Sequence, residues 1–246
     1  MRWLGIVTVV LVLTARPASA EEWATRDYVA AGVPDPGRPW STAELQQAVD
    51  AIARAAADHP ERLPRHRGAS SGPVFARLVE ERTDDKTAPI GARFAAHTER
   101  VGALTQAFKL YGDGVSRPPV REQFELMHAM LREAMVIGAL SDPFLATFRA
   151  DDPSLPTRRD GLAKLGLGVG GMLLGSILMS ADRRVPLADR LVLLRYISDA
   201  APSLFPKVPA TFQESIRTTL AKLVEGTTGE LHDAAVRVQR SIGAPP

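Results

Sequence analysis

The apolar residues between Ile90 and Tyr111 constrain the fold class before any other feature does. Ile90, Phe94, His97, Val101, Leu104, Phe108 and Tyr111 recur in steps of four and three, which places them on one stripe of an α-helix. Residues 87–89 supply a start signal, and Gly112 and Gly114 a stop. The same period governs nearly all of the chain beyond Ser41. Between turn signals no run of alternating apolar and polar residues marks a half-buried strand. The expected class is therefore all-α, an irregular multi-helix bundle of about seven to nine helices.

Local signals divide the chain. Ser41 and Glu44 have the spacing of a capping box, with Leu45, Val49, Ile52 and Ala56 on one face and a stop before Pro60. A second helix follows Gly72 and Pro73, with a helix cap expected from Ser70 or Ser71. After the helix that starts near Ile90, another opens at Ser116 with Pro118 and Pro119, and it carries Val120, Phe124, Met127, Leu131 and Ala134. The short turn between the two predicts an antiparallel pair. A separate short helix is expected over 142–150, then a polar break over 151–156. Four further helical stretches are expected over 158–181, 186–200, 209–225 and 228–241. The break is a possible subdomain boundary, although one all-α unit over 41–246 is the simpler organisation. Residues 21–40 contain three prolines and two glycines among Trp23, Tyr28 and Trp40, which predicts an irregular arm whose aromatics pack on the bundle.

The first twenty residues read as a secretory signal. Arg2 precedes an uncharged run from Leu4 to Leu13, and Ala18, Ser19 and Ala20 supply small residues for cleavage between Ala20 and Glu21. As a helix that run rises about 15 Å, half the thickness of a bilayer core, so it is too short for a spanning anchor. Removing Arg2 and Arg16 takes the 30 basic residues of the 246-residue chain to 28, against 28 acidic ones. The sequence pI near 9.1 then belongs to the precursor, and no whole-chain field remains to attract nucleic acid. The chain has no cysteine, which excludes disulfides, Cys-ligated zinc and thiol catalysis. Export without disulfides fits a bacterial envelope, with the protein periplasmic or secreted.

Several motifs match in spelling only. Gly68-Ala69-Ser70-Ser71-Gly72 fits the nucleophile elbow, but that chemistry needs a buried strand before the serine, and residues 62–67 are too charged for one. A softer alternative is an anion site at Arg65, Arg67, Ser70 and Ser71. Gly166 to Gly171 spells a dinucleotide fingerprint without the preceding strand. Those glycines read better as flat contact faces: Gly166 with Gly170, and Gly171 with Gly175, stand four apart on a helix. The segment from Leu165 to Ser180 carries no charge and five glycines. The favoured expectation makes the helix over 161–181 a buried central element, with membrane insertion as the alternative.

His97, Glu125 and His128 form the one metal-like constellation. Glu125 and His128 have the i, i+3 spacing of di-iron bundles, and His97 lies on the preceding helix, yet the second motif and two further Glu are missing. Met127, Met130, Met135, Met172 and Met179 read as core filler, with a pliable apolar pocket as the alternative. The sequence calls for no cofactor and offers no catalytic set. The expected function is non-catalytic: an exported binding or interaction protein whose partner is a protein or an apolar ligand. A metal-dependent helical enzyme and a membrane-inserting protein are the alternatives.

Overall fold

The computed structural model describes residues 23–112 and 119–243. The expected signal segment, the expected cleavage point between Ala20 and Glu21, and most of the turn before the fourth predicted helix lie outside the described residues. Among the described residues the chain forms nine α-helices and no strand, in agreement with the all-α expectation. These are α1 (Thr25–Ala30), α2 (Thr42–Ala56), α3 (Gly72–Leu78), α4 (Ile90–Leu110), α5 (Arg121–Leu145), α6 (Leu155–Ala181), α7 (Leu187–Leu204), α8 (Ala210–Glu225) and α9 (Gly229–Gly243).

Helix starts follow local chemistry. The Ser41 hydroxyl accepts from the Glu44 N–H at 3.2 Å, and the Glu44 carboxylate accepts from the Ser41 N–H at 2.9 Å, closing the predicted capping box. The Arg38 guanidinium and these Ser41 bonds hold the Glu44 carboxyl down to about 2. Helices α4, α7 and α8 each begin immediately after a proline, Pro89, Pro186 and Pro209. Between Gly68 and α3 the expected serine cap does not form. Ser71, fully buried, instead accepts from the Arg65 N–H at 2.9 Å and closes the loop.

Two prolines sit inside helices where breaks were expected. α5 continues through Pro143 to Leu145, so no separate short helix opens at 142. A proline there forfeits one bond to the carbonyl four residues back. That carbonyl belongs to Ala139, an exposed residue at which solvent can replace the lost bond. α7 likewise runs through Pro202 to Leu204. At the polar break, the Asp152 carboxylate accepts from the Ser154 N–H at 2.8 Å, and α6 starts at once with Pro156 in its first turn.

One apolar cluster draws on all nine helices, from Tyr28 to Ile242. The arm over 23–40 is tied to it as expected: Tyr28 is fully buried and its hydroxyl donates to the Arg62 carbonyl at 2.8 Å, with the Trp23 ring edge-on at 5.3 Å. α4 and α5 pack antiparallel, as expected. Phe94 stacks on Phe144 with ring centres 4.6 Å apart, and the Thr105 hydroxyl meets the Met130 sulfur at 3.3 Å. Between these contacts lies a buried charge network. Arg100 donates through Nε to Glu133 at 2.7 Å, and His97 Nδ1 lies 2.5 Å from the other Glu133 oxygen. The network reaches outward to the segment before α4, where Arg100 donates to the Glu80 carbonyl and Arg132 to that of Val79. Burial pulls the Arg100 guanidinium below its ordinary value, against the pull of Glu133.

The glycine-rich helix α6 departs from expectation. Its most apolar eighteen-residue window is only 28% buried, so it flanks the bundle and is not wrapped at its centre. Gly166 faces the turn before α8 and Gly170 faces α8, and Leu173 and Ile177 are buried. With glycine at so many positions the helix has little side chain to bury on its other faces.

Candidate binding groove

α4 and α6 both run antiparallel to α5 and so run parallel to each other across it. The beginning of α4 shares a cavity with the N-terminal half of α6, and the end of α4 shares another with its C-terminal half. The first, of about 680 Å³, is lined by Gly91, Phe94, Phe144, Arg158, Leu162 and Leu165 among others. The second, of about 530 Å³, is bounded by Phe108, Met127 and Met130 on one side and Gly168, Met172 and Gly175 on the other. One turn of α6 separates Leu165 from Gly168, so the two cavities lie on one seam. From Gly161 to Met179 that seam is about 27 Å long at a helical rise of 1.5 Å per residue.

The width of the groove is set by what α6 lacks. A Cβ placed on Gly161, Gly168, Gly171 or Gly175 would meet nothing within 4 Å. Larger side chains there would occupy the groove. The opposite wall is tied to α5 by the buried Arg100, Glu133 and His97 bonds. The lining is mostly apolar, and Thr98 and Thr105 on α4 donate their hydroxyls back to the Phe94 and Val101 carbonyls. At one end the Arg158 guanidinium lies 4.0 Å over the Phe148 ring and 5.7 Å from the Phe144 ring, held by Nε donation to the Ser154 hydroxyl at 3.0 Å. Lys109 lies at the other end, and Glu99 borders the first cavity. A cation at the mouth of an apolar channel suits a molecule with an anionic head and an apolar tail.

The methionines divide along this line. Met127 and Met130 are buried and form part of the floor, while Met172 and Met179 are half-buried on the α6 wall. Sequence reading named four methionines of this cavity. It missed Phe94 and Phe144 as a stacked pair and Arg158 as its cation, because the pairing depends on the α4–α5 register.

The metal-like constellation does not assemble. His97 pairs with Glu133, two turns beyond Glu125, a displacement of about 12 Å along the helix axis. Glu125 is held by Arg121 Nε at 2.8 Å and accepts from the Tyr196 hydroxyl at 3.1 Å. The His128 ring stacks on that of Tyr196 at 3.6 Å; burial, with Arg132 nearby, lowers it to about 4 and leaves it neutral at pH 7. Asp84 also approaches His97, at 3.5 Å, but its carboxylate is taken by Arg93. Among the described residues no three His, Asp or Glu side chains are placed to hold a metal ion. The candidate anion residues share the loop before α3. Arg65 and Arg67 are exposed on the loop, the Ser70 carbonyl accepts from the Thr25 hydroxyl at 2.8 Å, and Ser71 is buried. Comparison with protein-family profiles, with curated proteins and with solved structures returns no match.

Proposed function

We propose that the chain is an exported, non-catalytic binding protein that holds an anionic amphiphile, with the tail along the α4–α6 groove and the head on Arg158. The observation that carries this reading is the open glycine wall. α6 is the most apolar helix among the described residues, yet it turns glycines towards open space beside Phe94, Phe144 and the methionines. Export rests on the N-terminal signal pattern and is part of the same proposal.

The magnitudes are consistent with reversible binding. Burying ten methylenes contributes about 8 kcal/mol, and association costs roughly 4 kcal/mol or more. A charge-assisted contact with Arg158 adds about 2 kcal/mol. The remainder corresponds to a dissociation constant on the order of 10–100 µM. Calorimetric titration with dodecanoate and with dodecyltrimethylammonium tests the assignment. Saturable one-to-one binding of dodecanoate, weakened about tenfold or more in Arg158→Gln and absent for the cationic probe, is expected. Equal affinity for both probes would remove the head-group assignment, and no binding of either would remove the reading.

A further inference from the structure

We infer that the outward face of α6 is a docking surface for an anionic lipid bilayer, on which the helix lies flat. Three faces of α6 have separate fates. Gly166, Gly170, Leu173 and Ile177 are buried against the bundle, and Gly168, Met172 and Gly175 border the groove. Between these two faces Leu167 and Leu178 stand out, 45% and 54% exposed. They are eleven residues apart, three helical turns, and so share one azimuth, with exposed Gly171 between them. Leu187, 50% exposed, opens α7 six residues after α6 ends. Together they account for three of the four large exposed apolar side chains among the described residues.

Charge chooses the occupant. Residues 158–187 carry five basic groups, Arg158, Arg159, Lys164, Arg183 and Arg184, against two acids, Asp160 and Asp182. The rest of residues 21–246 holds 23 basic and 26 acidic residues, so the positive excess is confined to the one apolar helix and its ends. An apolar stripe with cationic flanks matches the headgroup and acyl boundary of an anionic leaflet. A second copy of the same face would bring like charge against like charge. A spanning arrangement conflicts with the packing, since a Cβ on Gly170 would lie 2.9 Å from Phe212 and α6 would have to leave this contact. The inference does not depend on the groove being filled; the two surfaces are adjacent faces of one helix.

Co-sedimentation tests it, using the protein recovered with its own N-terminal processing and its intact mass recorded. The vesicles are phosphatidylcholine alone or phosphatidylcholine with phosphatidylglycerol. Partition onto the phosphatidylglycerol vesicles that falls with added salt is expected. L167E/L178E lowers it about a hundredfold and K164E/R183E about tenfold, while both variants melt like the parent because all four side chains are exposed. Gly161→Phe, which fills the groove, leaves vesicle partition unchanged, so loss of dodecanoate binding and loss of docking are read separately. Equal partition onto both vesicle types, or partition indifferent to the leucine changes, overturns the inference. So does a dimer that L167E/L178E dissociates in the absence of vesicle binding, which would make a second copy the occupant.

Discussion

Gly166 with Gly170 and Gly171 with Gly175 have the same spacing on the same helix, and they sit in opposite environments. A Cβ on Gly166 would lie 2.7 Å from the Lys207 carbonyl oxygen and one on Gly170 would lie 2.9 Å from the Phe212 ring, whereas Gly171 and Gly175 have open space. The first pair is explained by packing, because only glycine lets the turn before α8 and Phe212 approach so closely. The second pair has no such explanation. Each open glycine costs about 0.5–1 kcal/mol relative to alanine in a helix, and nothing in the fold uses its small size. What the open pair does provide is width, beside Phe108, Met127 and Met130.

The largest effect expected bears on the wall opposite those glycines. If α4 is a fixed wall, Glu133→Gln leaves the buried Arg100 charge without its partner and costs about 3 kcal/mol in chemical unfolding. A cost under about 1 kcal/mol would mean that α4 can move and that groove width is not set by α6 alone. Next come Gly166→Ala and Gly170→Ala, each expected to destabilise by about 1–2 kcal/mol despite the better helix propensity of alanine. The same substitution at Gly168, Gly171 or Gly175 has the opposite sign, stabilising by about 0.5–1 kcal/mol. Urea unfolding of the five single variants checks both groups, and a common sign would erase the contrast.

The smallest effect concerns pH. His128 is held near 4 in the folded chain against an ordinary value of 6.5, so below pH 6.5 the unfolded chain binds a proton that the folded chain refuses. Stability from this group is complete above pH 6.5 and is lost as pH falls towards 4. His128→Gln removes that loss; with the half-buried ring screened by solvent the contribution is about 1 kcal/mol, so the variant's melting temperature is expected to fall less than the parent's over this interval, by about 2–4 °C. An identical fall in both would place the acid sensitivity in the carboxylates alone.

How much was legible in the sequence follows from the same helix. The α4 stripe, the Ser41–Glu44 box and the helix starts after Pro89, Pro186 and Pro209 are local signals and appear in the structure. The continuation of α5 through Pro143 was not legible, because a proline near a helix end costs one bond and exposure of Ala139 decides whether that matters. His97 was correctly placed on the α4 seam, but its partner is Glu133 and not Glu125. Which carboxylate meets it depends on an offset between two helices that periodicity does not carry. For α6 the difficulty is more basic. A helix apolar on every side has no azimuthal pattern to show which face is buried, and glycine spacing is blind to whether anything stands opposite.

The central claim is that the open glycines serve the groove and not the fold. Dodecanoate titration of G168L/G175L, with its unfolding free energy measured alongside, tests it most directly. The account predicts a protein at least as stable as the parent that no longer binds dodecanoate. A variant that loses stability, or one that keeps the parent's affinity, would contradict it.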